Sequence, residues 1–145
     1  MGLAAKKIAA WKLELQKLAT QHNGKLKAED VVEFAKDPTT SLHSHFTWDD
    51  TEAARRYRLD QARDLIQVVV TVIPGAAKEF RAYVSMEDDR KEAGGGYRFM
   101  VSVLSDKEKR ERLLAQALAE FDRWREKYEA LTELAGIISA RKKIS

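Results

Sequence analysis

From Leu114 to Ile138 the chain holds one unbroken apolar register: Leu114, Ala117, Phe121, Trp124, Tyr128, Leu131, Ala135 and Ile138. Successive steps of three and four residues put these side chains on a single narrow seam of a helix. No glycine or proline interrupts it before Gly136. A helix of about 30 residues is longer than a small domain needs to cover one core face, since most globular helices span 8–20. The seam therefore predicts one long C-terminal helix, over 105–140, packed against a second helix. Trp124 and Tyr128 are bulky for a dimeric coiled coil, so the N-terminal helix competes with a second copy of the chain for that place. The flank that carries Leu118 and Leu134 is then the expected dimer contact, and a homo-oligomer is expected.

A second seam of Ala4, Ile8, Trp11, Leu15 and Leu18 predicts an amphipathic helix over residues 3–21, stopped by Asn23-Gly24. A short helix is expected at about 28–36. Between Asp37 and Thr47 the segment reads as an ordered loop pinned by Leu42 and Phe46. Asp49 with Glu52 forms a capping-box-like start for a third helix that runs to about Ile66. The period then changes. Val68 to Ile73 is a continuous β-branched run, and stretches around 80–86 and 97–103 alternate apolar with polar residues. A polar loop ending in Gly94-Gly95-Gly96 joins the last two, and Ser105 with Glu108 reads as a second capping box. The expected fold is α+β: three N-terminal helices, a three-stranded antiparallel β-meander, and one long heptad-patterned C-terminal helix. At 145 residues this reads as a single domain, with a helical part at 1–66, a sheet part at 67–104 and the long helix at 105–140.

The block Leu42-His43, Phe46, Trp48-Asp49-Asp50, Ala53-Ala54, Arg58, Gln61-Ala62-Arg63 and Leu65-Ile66, with Gly24-Lys25-Leu26, Val31-Val32 and Leu104-Ser105-Asp106, resembles a family of phage and prophage proteins known mainly as open reading frames. The resemblance implies a viral or prophage origin. It brings no activity, fold or site with it.

Charge is unevenly spread. Residues 1–27 hold six lysines and one acid, residues 28–104 hold 14 acids and 10 bases, and residues 105–145 hold 8 acids and 10 bases. A basic first helix and a basic tail thus flank a mildly acidic body, a pattern open to a polyanionic partner or to ordinary solvated faces. There is no cysteine, hence no disulfide and no thiolate chemistry. No apolar run is long enough for a membrane span, and residues 1–18 lack the continuous apolar core of a signal peptide. The bacterial host cytoplasm is the expected location.

On the third helix Arg55 and Arg58 fall within the apolar arc of Ala54, Leu59, Ala62, Leu65 and Ile66, while Arg56 and Arg63 lie opposite. An arginine cannot shed its charge, so one on an apolar face must meet a carboxylate, a set of carbonyls or an external anion. Asp49, Asp50 and the acids of the second helix are the expected partners. His43 and His45 with Asp49 and Asp50 have the atoms for a metal, but the spacing matches no known ligand pattern, and the expected role is hydrogen bonding within the loop. No catalytic residues, no cofactor and no metal are assigned, and the chain reads as non-enzymatic.

Two readings stay open. In one, the chain is an oligomeric DNA-binding module of winged-helix-like organisation. Arg56 and Arg63 then face a groove, Arg90 and Lys91 sit on the wing, and Lys6, Lys7 and Lys12 meet phosphates. Its weakness is the link of about twelve residues between helices two and three, where a helix-turn-helix uses three or four. In the other, the chain is a phage assembly or host-protein-binding factor that acts through protein contacts with no nucleic-acid role.

Overall fold

The computed structural model describes residues 2–49 and 51–144. Asp50, one of the acids considered above, lies outside them. The chain is a mixed α+β protein that divides into two compact units, Met1–Leu104 and Ser105–Ser145.

In the first unit, helix α1 (Leu3–Gln21) ends where Asn23 and Gly24 both take positive φ, and the Gly24 amide donates to the Ala19 carbonyl at 2.8 Å. This left-handed exit turns the chain into a strand that the residue pattern did not predict, β1 (Lys25–Leu26), and then into α2 (Ala28–Ala35). The expected loop follows as a 3-10 turn at His43–His45, with Leu42 and Phe46 buried as its pins. Helix α3 (Glu52–Val68) is capped by Thr51, whose hydroxyl accepts from the Ala54 amide at 3.2 Å. Asp49 is not the cap. It accepts from the Thr51 amide and so forms the turn that precedes it. The C-terminal part of the α1 seam is buried here, while Ala4 is exposed and Ile8 half-buried: Leu15 and Leu18, with Trp11 beside them, join Leu26, Val31, Leu42, Phe46, Ala62, Leu65 and Ile66 in one core.

The expected meander is present only in outline. Strand β2 (Val70–Val72) pairs antiparallel with β3 (Glu79–Arg81), while β4 (Tyr83–Val84) pairs with β5 (Tyr97–Phe99), and β5 also pairs with β1. The strands thus make a two-stranded sheet and a three-stranded sheet of order β1-β5-β4. They meet at Ala82, whose amide donates to Val69 at 2.8 Å and whose carbonyl accepts from Met100 at 2.7 Å. Strict alternation fails at this junction, because Ala82 and Tyr83 are both buried while Phe80 is exposed. Nor is the 68–73 run covered on both faces: Val69 and Thr71 are buried, Val68 and Val72 exposed. The polar loop contains a helical turn, α4 (Glu87–Arg90), and the third expected strand gives way after Phe99 to helix α5 (Met100–Ser105).

The α4 turn carries an ionic anchor. Asp89 is buried, accepts both Nε and Nη2 of Arg98 at 2.7 and 2.9 Å, and lies 3.6 Å from Lys25 Nζ. Lys25 also pairs with Glu92. Burial by itself pushes the Asp89 carboxyl upward, but Arg98 and Lys25 outweigh it and hold the pKa below the ordinary value. The loop is thereby tied to both β1 and β5.

In the second unit the expected single helix is two. Helix α6 (Lys107–Tyr128), capped by the Asp106 carboxylate on the Lys109 amide rather than by Ser105, ends just after Tyr128. A 3-10 turn at Thr132–Leu134 leads into α7 (Ala135–Lys142). Arg141 donates to both carboxylate oxygens of Asp122 at 3.1 and 2.9 Å. Nineteen residues of straight helix would separate these side chains by about 28 Å, so the pair requires the chain to fold back as a hairpin.

Asp89→Asn is expected to lower stability by about 2 kcal/mol in urea melts, through weakened charge-assisted hydrogen bonds. Because the folded-state pKa of Asp89 is depressed, its contribution is present above the unfolded carboxyl pKa of about 3.9 and is lost as pH falls through the lower folded value. The mutational difference should therefore shrink in strongly acidic melts and persist at neutral pH. Tyr83 is buried with a hydroxyl that meets no hydrogen-bond partner among the described residues, and burial pushes its pKa upward. Tyr83→Phe should raise stability by about 1 kcal/mol, since it removes an unsatisfied buried polar group; a destabilised variant in the same melts would show that the hydroxyl is bonded.

Candidate functional site

The segment between α2 and α3 is held from below by α1. The Glu14 carboxylate accepts from the Ser41 amide, the Ser41 hydroxyl and the Leu42 amide, at 2.9, 2.6 and 3.0 Å. Trp11 Nε1 donates to the Ser41 carbonyl at 3.2 Å. So anchored, the 3-10 turn carries His43 and His45 into fixed places. His43 Nδ1 lies 2.8 Å from the Ala35 carbonyl, and His45 Nε2 lies 3.2 Å from the Gln61 carbonyl. His43 stacks on Trp48 with ring centroids 5.0 Å apart, and Trp11 meets His45 edge-on. One nitrogen of each imidazole is thus engaged by backbone, the hydrogen-bonding role expected of them. Asp49 is drawn into the turn before α3. Among the described residues no group of three His, Asp or Glu side chains is placed to hold a metal ion.

Arg58 is the side chain that this loop is built around. It is 8% exposed. Its Nη1 donates to the Thr47 and Asp49 carbonyls at 3.0 and 2.7 Å, and its guanidinium lies over the Trp48 ring at 5.3 Å. The expectation of a carboxylate partner is replaced, among the described residues, by carbonyls and an aromatic face. Carbonyl dipoles orient a guanidinium but do not cancel its charge. Its Nε has no partner among the described residues. Arg55, expected to share the buried face, is exposed instead. The apolar arc is narrower than the helical wheel suggests, and Arg55 falls at its edge, where the long side chain reaches solvent.

Arg55 and Arg58 nevertheless line one cleft. It lies between α2 and α3, has a volume of about 680 Å³, and is walled by Glu29, Val32, Glu33, Lys36, Trp48, Arg55, Arg58 and Leu59. Helical phase marks the two arginines but gives no sign of Trp48 or the α2 wall. The signal for them is indirect, namely the tryptophan immediately before the acidic pair.

The residues assigned to nucleic acid are dispersed. Arg56 pairs with Glu52 at 3.8 Å and Arg63 with Asp60 at 2.8 Å, both on their own helix. Arg90 donates to the Ser85 hydroxyl and carbonyl. Lys91 is exposed, as are Lys6 and Lys7, and Lys12 is half-buried. Apart from buried Arg58, α3 carries three arginines and three acids, and residues 87–92 carry four acids and two bases. Neither surface carries an excess of positive charge.

On the hairpin, Leu118 and Leu134 are half-buried, and the seam itself stays in the open. Trp124, Tyr128 and Leu131 are 40%, 43% and 52% exposed, with Phe121, Trp124 and Tyr128 in successive ring contacts along α6. No described residue of this unit is buried. Leu15 and Leu18 of the N-terminal seam belong to the core of the first unit. Compared with protein-family models, curated proteins and solved structures, the chain matches none.

Arg58→Ala is expected to cost about 2–3 kcal/mol, because it frees two carbonyls from charge-assisted bonds. Arg56→Ala and Arg55→Ala should stay within about 0.5 kcal/mol, as exposed substitutions do. Urea melts of the three variants check the ranking, and equal silence of all three would refute the role given to Arg58.

Proposed function

We propose that this chain is a non-enzymatic binding factor of phage or prophage origin that acts through protein–protein contacts in the host cytoplasm and self-associates through its C-terminal hairpin. The observation that carries this reading is the open apolar seam of α6. Phe121, Trp124 and Tyr128 form a continuous aromatic stripe on α6, with exposed Leu131 just beyond its end, in a unit too short to build a core of its own. Trp and Tyr are enriched among the few residues that carry most of the energy at protein interfaces. Leu118 and Leu134 flank the stripe and belong to the same contact.

The nucleic-acid reading keeps one specific support, the exposed pair Lys6 and Lys7 on α1. The balanced charge of α3 and the acidic α4 turn favour the protein-binding reading over it.

Light scattering at about 100 μM, well above a micromolar Kd, should give a mass larger than the monomer. Trp124→Glu and Leu131→Glu should each return the chain to a monomer while leaving the melt of the first unit unchanged. A monomeric mass for the unaltered chain under these conditions would remove self-association. A shift of mixed-sequence duplex with a log–log salt slope near −3.6, the value for about four neutralised phosphates, would instead establish the nucleic-acid reading. In that case Lys6 and Lys7, changed together to Ala, should reduce the slope by about 1.8.

A further inference from the structure

The cleft between α2 and α3 holds a buried positive charge to which no carboxylate is paired among the described residues. Glu33 and Lys36 pair with each other at 2.7 Å, which leaves Glu29 against Arg55 and Arg58 on the walls. Arg58 is more than nine-tenths buried, and among the described residues its Nε has no acceptor and no carboxylate pairs with it. Arg55 stands three residues earlier on α3 and lines the same space, so the two guanidinium groups occupy neighbouring positions on one helix face. The remaining surface is apolar: Val32 and Leu59 on the helices, and the partly exposed Trp48 ring. A volume of about 680 Å³ lies within the range of sites that take a few side chains or a small molecule.

We propose that this cleft docks a short acidic peptide segment of a partner protein. A carboxylate of that segment engages the Arg55 and Arg58 guanidinium groups, and an adjoining apolar side chain lies on Val32, Leu59 and Trp48. A carboxylate supplies what two carbonyls cannot, neutralisation of the buried charge together with acceptors in the planar geometry that arginine prefers. The walls also decide between polyanions and peptides. Glu29 and Glu33 would repel the continuous charge of a nucleic acid, whereas a segment with one or two acids set among apolar residues avoids them. The inference rests on the protein-binding reading, and it concerns a surface separate from the hairpin seam, so either can fail alone.

The test is fluorescence anisotropy on the full chain with three probes. These are a short labelled peptide of Asp set among Leu and Phe, its twin with Asn in place of Asp, and a labelled single-stranded oligonucleotide. The acidic peptide should bind saturably, and the Asn twin about tenfold or more weaker, the difference that one charge-assisted hydrogen bond makes. Arg55→Gln should weaken the acidic peptide about tenfold and leave the Asn twin and the light-scattering mass unchanged. Arg58→Lys keeps the charge but loses the planar fork, and should weaken the acidic peptide as well. Should that variant fail to fold, Arg55→Gln carries the test, because Arg55 is exposed. Equal binding of both peptides, no effect of Arg55→Gln, or no saturable binding of the acidic peptide would each overturn the proposal. So would an oligonucleotide that binds where the acidic peptide does not.

Discussion

One carboxylate organises the first unit. Glu14 takes three donors from Ser41 and Leu42, and in doing so fastens a long inter-helix segment to α1. Fixing the backbone of such a segment costs about 1–2 kcal/mol per residue, which the Glu14 bonds offset together with buried Leu42 and Phe46 and the contacts of Trp11, His43, His45 and Arg58. With the Glu14 anchor, the 3-10 turn has a defined start, the histidines reach the Ala35 and Gln61 carbonyls, and Trp48 is set over Arg58. The cleft follows from this chain of contacts. A polar residue on the outer edge of the first helix thus positions a guanidinium on the third.

The elements that could be read from residue spacing are those whose cause is local. The α1 seam, the Asn23-Gly24 stop, the short second helix and the pinned loop all have side-chain periods or backbone preferences that act within a few residues. Strand β1 could not be read this way. Two residues carry no period, and Lys25–Leu26 is a strand only because β5 comes to lie beside it. The C-terminal helix shows the opposite failure. Its heptad register runs unbroken through Glu129 to Leu131, where the helix itself stops. The bidentate Arg141–Asp122 pair, invisible at a spacing of nineteen, closes the turn.

The candidate site was legible in part for the same reason. Helical phase put Arg58 on an apolar face and so announced a charge in need of compensation. It could not say that backbone oxygens from Thr47 and Asp49 would orient it, because loop carbonyls have no sequence signature. Nor could it show Arg56 and Arg63 held by Glu52 and Asp60, although their spacings of four and three are those of ordinary surface pairs.

Ala82 joins two sheets through one residue: its amide belongs to the pairing with Val69, its carbonyl to the contact with Met100. Each sheet is very small, and a two-stranded ribbon by itself is only marginally stable in water. Because both lean on the same buried residue, neither can fray without pulling on the other. Coupled in this way, the paired amides of the two sheets should exchange through a shared opening event rather than a separate one for each sheet.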